Sequence, residues 1–247
     1  MSKSNRPRRL VRGAARRAAA ADLRVAPAAA REAMDDHVFR LRAVLSAVDT
    51  SDVAALAERL WQIACAGGLV LIAGNGGSAA NAAHMAVDLG KSALGRPPRP
   101  GAPRVRAVAL GDASSVLTAW ANDGAYETAF AEQVTTLARQ GDAVVLLSVS
   151  GRSPNIVAAA RAAREAGAMV IALLGGDGGA VRALADCSIV VPSDDYQIVE
   201  DAHLAINHMI TTYIRLALGV KTPRLDSSAP AAKRPARPRA ARRRGGD

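Results

Sequence analysis

The spacing of apolar residues in the first quarter of the chain predicts two helices. Within residues 29–48 and 51–65, apolar side chains recur at intervals of three and four, which is the period of one face of an α-helix. They are Val38, Leu41, Leu45 and Val48, then Leu56, Leu60 and Ile63. Ser51 and Asp52 stand at the start of the second run and predict its N-cap.

Five aliphatic runs farther along the chain predict strands. They occupy residues 69–74, 105–110, 143–150, 169–174 and 188–191. Helical patterns separate these runs, and the last of them is a long helix at residues 196–218. This alternation predicts an α/β fold, with a doubly wound five-stranded parallel sheet, helices on both faces, N-terminal helices and a long C-terminal helix.

The connections carry turn and cap signals. Segment 96–103 contains four prolines, which exclude regular structure and predict an exposed loop. Residues 112–115 predict the cap of a helix that carries Leu117 and Trp120, and an Asn-Asp-Gly turn then leads into a second helical stretch. Pro154 is expected in the first turn of a helix that runs to Gly167.

Charge is distributed unevenly over the 247 residues, whose formal net charge is +10. Residues 1–31 and 221–247 carry +8 and +7, so the middle of the chain is acidic. Both basic tails hold few large apolar side chains, and we expect them to be disordered around one domain at residues 32–220. Met34 is an alternative translation start. The Arg pairs allow contact with nucleic acid or acidic lipids, but a solvated run of charges is the favoured interpretation.

The two cysteines, Cys65 and Cys187, lie in apolar stretches without metal-like spacing. We expect both to be buried, reduced thiols of a cytoplasmic protein. The longest apolar runs are far shorter than the roughly 20 residues that cross a bilayer, and no apolar signal segment opens the chain. The sequence therefore predicts a soluble protein.

The first strand ends in a glycine-rich turn, Gly74-Asn-Gly-Gly-Ser78, that leads into an alanine-rich helix. Such a turn lets a ligand approach main-chain N–H groups, and the helix start favours an anion. On the same helix His84 and Asp88 are four residues apart, so they share one face. A histidine and a carboxylate in this arrangement can bind a metal ion or transfer a proton.

The third strand ends in a second turn of this kind, SVSGRSPN, at residues 148–155. Its three hydroxyls and the following helix start form a phosphate cradle that needs no lysine. Ligands of parallel sheets bind at the carboxyl ends of the strands, where both turns are expected, so a shared site is predicted. A GxGxxG motif with a later acidic residue is missing, and a dinucleotide site is therefore not supported.

These features resemble the sugar isomerase (SIS) domain family and, within it, the phosphoheptose isomerases. The markers are GNGGSA with a histidine six residues after the serine, LTAWAND, SxSGxSxN, and a late helix with ED-x-H-x4-H. The resemblance covers residues 33–218. It implies interconversion of sedoheptulose 7-phosphate and D-glycero-D-manno-heptose 7-phosphate through an enediol, in a homotetramer with active sites at subunit borders.

The resemblance also implies roles for individual residues. The phosphate would be held by Ser78, Ser148, Ser150 and Ser153, and sugar hydroxyls by Asn75 and Asp112. One zinc ion per subunit would be held by His84, Asp88, Glu200 and His208. Asp88 corresponds to the catalytic base and His208 to the acid. The full substrate-binding set predicted in this way is Asn75, Gly76, Gly77, Ser78, Asp112, Ser148, Val149, Ser150, Ser153 and Glu200.

Three residues depart from the family pattern: Asp88 replaces Glu, Glu200 replaces Gln, and Arg152 replaces Asn. The change at position 200 can compensate for the shorter side chain of Asp88. Two carboxylates with two imidazoles remain a suitable set of zinc ligands. An Asp88 that binds the metal cannot act freely as a base, so its role stays open at this point. His203 is expected to be a packed structural histidine.

Two alternatives use the same fold without catalysis. One is an adaptor similar to the SIS-fold initiator-associating protein that acts on the replication initiator, and the other is a phosphosugar-sensing regulator. An adaptor has no need of the four polar positions on the two helices. No DNA-binding module adjoins the predicted domain, which argues against a regulator.

Overall fold

The computed structural model describes residues 25–95, 98 and 100–221. The chain divides into two compact units, one comprising Met1–Phe39 with Ala232–Asp247 and the other Arg40–Ala231. In the first unit, residues 25–39 are described, and they carry an ion pair between Arg31 and Asp35, one helical turn apart. The sheet and the site lie in the second unit. Most of the predicted tails fall outside the described residues.

The strands are β1 Leu69–Gly74, β2 Arg106–Ala109, β3 Ala143–Ser148, β4 Met169–Gly175 and β5 Cys187–Val191. The α-helices of the described ranges are α1 Pro27–Ala47, α2 Thr50–Cys65, α3 Gly77–Gly90, α4 Ser114–Asp123, α5 Ala129–Leu137, α6 Pro154–Glu165, α7 Gly179–Arg182 and α8 Tyr196–Ala217. A short 3-10 helix, Ser92–Leu94, follows α3. None of the helices described is both long and apolar enough to cross a membrane.

The sheet is parallel throughout, with the strand order β2-β1-β3-β4-β5. The chain moves outward from β1 to β2 and then crosses back to begin β3 on the other side of β1. The direction of strand addition therefore reverses between β1 and β3. The predicted doubly wound, five-stranded α/β fold is confirmed.

Alternate residues of the strands pack into two cores, one on each face of the sheet. Val70 and Val145 face one core, which contains side chains of α2, α3 and α8. Leu71 and Val144 face the other, which contains side chains of α5 and α6. Because helices cover both faces, every residue of β3 is buried, as its continuous apolar run predicts.

Three helix starts differ from the prediction. Helix α2 is capped by Asp49, whose carboxylate accepts a hydrogen bond from the Ser51 N–H at 2.8 Å, so the predicted cap at Ser51 and Asp52 is wrong. Helix α4 follows Ala113 and has no side-chain cap, so Asp112 does not serve that purpose. Helix α1 begins at Pro27, which makes residues 27–31 helical rather than part of a disordered tail.

The expected burial of the cysteines is wrong for Cys65, which is exposed at the end of α2. Cys187 is half-buried at the start of the edge strand β5, and burial raises the pKa of its thiol. Both thiols are free. The apolar neighbours of Cys65 in the sequence belong to the opposite face of the helix, which explains the error.

Candidate active site

The two Ser/Gly turns lie side by side at the carboxyl edge of the sheet. Strands β1 and β3 are neighbours, with Gly74 paired with Leu147, and each turn directly follows its strand. This is the point where the strand order reverses, and ligands of open α/β sheets bind at such a point. The fold thus brings the two sequence motifs into one site.

The first turn, residues 74–78, leaves the start of α3 open to an anion. Gly76 is the N-cap of α3 and has φ = 54°, a conformation that favours glycine. No side chain caps this helix, so the N–H groups of Gly77 and Ser78 are available together with the positive end of the helix dipole. Ser78 is buried beside Gly74, where a Cβ atom would lie 2.5 Å from the Ser78 carbonyl oxygen.

The second turn is held by its own hydroxyls. Ser148 Oγ accepts a hydrogen bond from the Gly151 N–H at 3.1 Å, and Ser150 Oγ accepts one from the Arg152 N–H at 3.2 Å. Ser153 is the N-cap of α6, yet its hydroxyl makes no capping hydrogen bond. Pro154 has no N–H, so the start of α6 offers a ligand the N–H groups of Ser153 and Asn155.

The loop after β4 braces the second turn. Gly151 has φ = 59°, and a Cβ atom there would lie 2.0 Å from the Gly178 carbonyl oxygen, so only glycine fits. Arg152 Nη2 donates to Asp177 Oδ2 at 2.6 Å, and Nη1 donates to the Ser150 carbonyl at 3.1 Å. The hydrogen bond from Arg152 lowers the pKa of Asp177 to about 2. The guanidinium that departs from the family pattern is thus paired with Asp177.

A pair of asparagines ties the two turns together. Asn75 Nδ2 donates to Asn155 Oδ1 at 2.9 Å, and Asn155 Nδ2 donates to Asn75 Oδ1 at 2.8 Å. The Tyr126 hydroxyl donates to the same Asn75 oxygen at 2.8 Å. These contacts fix the amide of Asn75. Asn155 lies within the second motif, whereas no local pattern identifies Tyr126, because its partner is 51 residues away.

Two predicted substrate-binding residues, Val149 and Asp112, differ from each other in where their side chains lie. Val149 turns its side chain into the core, and its carbonyl accepts a hydrogen bond from the Gly175 N–H at 3.0 Å. Its contribution to a site is therefore limited to main-chain atoms. Asp112 is exposed just beyond the end of β2, next to the strand that carries the first turn.

Glu200 reaches the first turn from helix α8. A Cβ atom on Gly77 would lie 2.2 Å from Glu200 Oε2, so the carboxylate lies against the start of α3. The main-chain carbonyl of Glu200 accepts a hydrogen bond from Asn81 Nδ2 at 2.8 Å, which joins α8 to α3. Gly77 leaves the space that this carboxylate occupies.

Three side chains from α3 and α8 converge on one point. His84 Nε2 lies 3.3 Å from His208 Nε2, and Asp88 Oδ2 lies 3.3 Å and 3.4 Å from these two nitrogens. Tetrahedral zinc with bonds of about 2.0–2.2 Å holds its ligand atoms about 3.3–3.6 Å apart. The three atoms match one face of such a tetrahedron. Glu200, the fourth predicted ligand, lies outside this cluster.

Comparison with known proteins identifies the family. Residues 36–175 match the model of the SIS domain. The phosphoheptose isomerase of Trichlorobacter lovleyi is 43% identical over 169 residues, which cover 68% of this chain and 84% of that protein. The chain belongs to the phosphoheptose isomerase family of SIS domain proteins.

Other members align over nearly their whole length. The phosphoheptose isomerase of Geobacter sulfurreducens is 38% identical over 192 residues, which cover 75% of this chain and 98% of that protein. The structure of the phosphoheptose isomerase from Neisseria gonorrhoeae is 32% identical, with a TM-score of 0.66 and coverage of 76% of this chain and 96% of that one. The structure of a phosphoheptose isomerase from Francisella tularensis is 26% identical, with a TM-score of 0.68 and coverage of 77% of this chain and 98% of that one.

In this member of the phosphoheptose isomerase family, the carboxylate of the cluster has a buried partner. Asn207 Nδ2 donates to Asp88 Oδ2 at 2.9 Å, and Asn207 is 1% exposed. Among the described residues, the hydrogen bond and both ion-pair contacts of Asp88 use Oδ2. Asn207 directly precedes His208 in the sequence, but only the packing of α8 on α3 reveals its contact.

His203 is fully buried on α8, as its predicted structural role requires. Burial lowers the pKa of its imidazole to about 4. The Leu174 main chain lies close enough to the imidazole to act in the opposite direction on this pKa, although neither ring nitrogen has a hydrogen-bond partner. The imidazole is therefore neutral at physiological pH and takes no part in the cluster.

Proposed function

We infer that this chain is an isomerase that interconverts a ketose phosphate and an aldose phosphate, with sedoheptulose 7-phosphate and D-glycero-D-manno-heptose 7-phosphate as the pair. The observation that carries this function is that one helix, α3, has a start without a side-chain cap and also carries His84 and Asp88 of a cluster of two imidazoles and a carboxylate. The helix starts suit a phosphate, and the cluster suits proton transfer beside a carbonyl. The phosphoheptose isomerases to which the chain is similar support the choice of a heptose.

Zinc, one ion per subunit, fits the cluster of His84, Asp88 and His208. Two imidazoles and a carboxylate are a known ligand set of catalytic zinc sites, which keep the fourth position open for water or substrate. Zinc bound there polarises a carbonyl oxygen and stabilises negative charge that develops on it. The spacing of the three ligand atoms supports this assignment.

The phosphate is assigned to the starts of α3 and α6. Ser78, Ser148, Ser150 and Ser153 surround it with hydroxyls, and the main chain of Gly76, Gly77 and Val149 completes the cradle. Two helix dipoles compensate part of its charge. The support is that neither helix start has a side-chain cap hydrogen bond, although the Glu200 carboxylate lies against Gly77 at the start of α3.

Sugar hydroxyls are assigned to three polar side chains around this cradle. Asp112 stands beyond β2, Glu200 lies against Gly77, and Asn75 is held between Asn155 and Tyr126. Carboxylates accept hydrogen bonds from hydroxyls, and the Asn75 amide, whose Oδ1 already accepts two hydrogen bonds, keeps one N–H donor in a known direction. An extended sugar chain can thus lie between the cradle and the cluster.

Asp88 and His208 carry the proton transfer in this scheme. Because Asp88 Oδ2 is occupied by its contacts, Oδ1 removes the proton from the carbon beside the carbonyl. Because Nε2 of His208 faces the metal site, its Nδ1–H gives the proton to the carbonyl oxygen, which forms a cis-enediol. Asp88 then returns its proton to the carbon that carried the carbonyl, while the hydroxyl on the neighbouring carbon gives its proton to His208 and becomes the new carbonyl. Both residues end in their starting states.

A homotetramer with sites at subunit borders is proposed for the assembly. Helix α4 has no buried residue within the described chain, and Val116 and Trp120 on it are exposed. Val87 and Val108 are also exposed, on α3 and on the edge strand β2. Apolar side chains of this size are typical of contact surfaces. Light scattering of the active protein tests the assembly, and a fully active monomer would contradict it.

The function is tested by incubating the purified, zinc-loaded protein with sedoheptulose 7-phosphate and following the aldose product by NMR. We expect conversion to an equilibrium mixture, and loss of conversion in His208→Ala. Fructose 6-phosphate serves as a six-carbon comparison for the choice of substrate. Substrate left unchanged by the zinc-loaded wild-type protein would overturn the proposal.

A further inference from the structure

We propose that Asn207 is a positioning residue, which holds the Asp88 carboxylate with Oδ2 toward the metal site and Oδ1 toward the substrate. This role rests on the zinc site and the proton transfer proposed above. It adds a residue that lies outside the four ligands implied by the sequence.

The contact joins two helices at the centre of the site. Asn207 on α8 and Asp88 on α3 are 119 positions apart, and their 2.9 Å hydrogen bond is buried. The Asp88 side chain is only 12% exposed, so few other donors can reach it. A carboxylate can rotate about its last side-chain bond, and a donor fixed on Oδ2 removes that freedom. The two oxygens of Asp88 are then no longer equivalent.

The burial of Asn207 is not explained by packing. Its Oδ1 atom is buried without a hydrogen-bond partner, and so is the hydroxyl of Thr211, one turn farther along α8. Buried polar atoms without partners destabilise a fold, and an apolar side chain at position 207 avoids this penalty. The hydrogen bond to Asp88 is the one contact in the described chain that uses the polarity of this side chain.

Such a contact acts on the metal through its ligand. Carboxylates that bind metals are oriented by hydrogen bonds from neighbouring groups, and loss of one of these bonds typically weakens metal binding about 10–100-fold. Without the Asn207 donor, the Asp88 carboxylate can turn and present either oxygen to His84 and His208. Loss of the donor should therefore weaken zinc binding and slow proton transfer, and it should leave phosphate binding unchanged.

The first test measures zinc affinity by competition with a chelating dye, without any substrate. Asn207→Leu keeps the branched shape of the side chain and removes the donor, and we expect zinc to bind about 10–100-fold more weakly. Thr211→Val is the matched control, because it removes a buried unpartnered hydroxyl from the same helix face without touching Asp88. We expect this control to bind zinc as the wild type does. Circular dichroism checks the fold of both variants.

The second test separates positioning from packing by kinetics at saturating zinc. Asn207→Leu should lower kcat while KM for the sugar phosphate stays near the wild-type value, since the cradle is intact. Wild-type zinc affinity in Asn207→Leu, or an equal loss in Thr211→Val, would overturn the proposal. Should Leu fail to fold, the smaller Asn207→Val decides by the same measurements. The affinity test remains valid even if the wild-type protein does not isomerise the heptose phosphate.

Discussion

The two halves of the site are built in different ways. The proposed phosphate half consists of two turns in which consecutive residues present main-chain N–H groups and hydroxyls. The metal half consists of side chains on α3 and α8 that meet only because the two helices pack together. A short sequence motif specifies the first kind of site, whereas the second depends on tertiary contacts.

This difference predicts unequal responses to substitution. The cradle offers two helix starts and four hydroxyls, so removal of one donor leaves the others in place. The cluster has three ligand atoms spaced 3.3–3.4 Å apart, and each of them is needed. Substitutions in the cluster should therefore have larger effects than substitutions in the turns.

The largest effect is expected from His84→Ala and His208→Ala. Each variant removes one of three proposed zinc ligands, and His208→Ala also removes the proposed acid, a role that contributes about 10²–10⁴-fold to rates. Zinc content by elemental analysis and turnover of sedoheptulose 7-phosphate should both fall. Circular dichroism is expected to stay unchanged, because both side chains are exposed. Full zinc content with full activity would show that the cluster neither binds zinc nor takes part in catalysis.

The buried His203 on the same helix should respond to pH rather than to metal. Its pKa is about 4 in the folded protein and about 6.5 when unfolded, so between these values only the unfolded chain binds the proton. The free energy of unfolding should therefore be highest above pH 6.5 and fall as the pH drops toward 4. The loss is about 3 kcal/mol.

Chemical denaturation at pH 7, 5.5 and 4 measures this slope. In His203→Leu the contribution of this group is absent, so the decline toward acid should be shallower by about the same amount. An identical decline in the variant and the wild type would mean that other groups cause the acid sensitivity.

The smallest of these effects is expected in the cradle. Ser150→Ala removes one hydroxyl from the second turn, and the affinity for the sugar phosphate should weaken by about 1–3 kcal/mol, the range for a lost hydrogen bond to a charged group. KM should rise while zinc content remains that of the wild type. Unchanged affinity would move the phosphate away from this turn.

Local patterns in the sequence predict the fold and the two turns well. Each strand begins and ends within about two residues of its aliphatic run. For β1, β3 and β4 the reason is burial on both faces, which demands a continuous apolar segment. Pro154 begins α6 as predicted, since its fixed φ suits the first helical position. The cap of α2 is missed because Asp49, Ser51 and Asp52 are all good cap residues, and the sequence does not decide among them.

Contacts between distant residues are what the sequence does not reveal. Asn75 is chemically suited to sugar hydroxyls, but its pairing with Asn155 requires β1 and β3 to be neighbours. No sequence pattern distinguishes Asn207 from other residues of α8, because its hydrogen bond to Asp88 depends on the packing of α3 against α8. The resemblance groups Glu200 with the metal ligands, whereas in the fold its carboxylate lies against Gly77.

The central claim is that Asp88, and not Glu200, removes the carbon-bound proton. Exchange of the substrate's C1 or C2 hydrogen with deuterium from the solvent, followed by NMR in zinc-loaded Asp88→Asn and Glu200→Gln, tests it most directly. We expect no exchange in Asp88→Asn and continued exchange in Glu200→Gln, with weaker substrate binding in the latter. Continued exchange in Asp88→Asn, together with its loss in Glu200→Gln, would instead assign the base to the carboxylate beside Gly77.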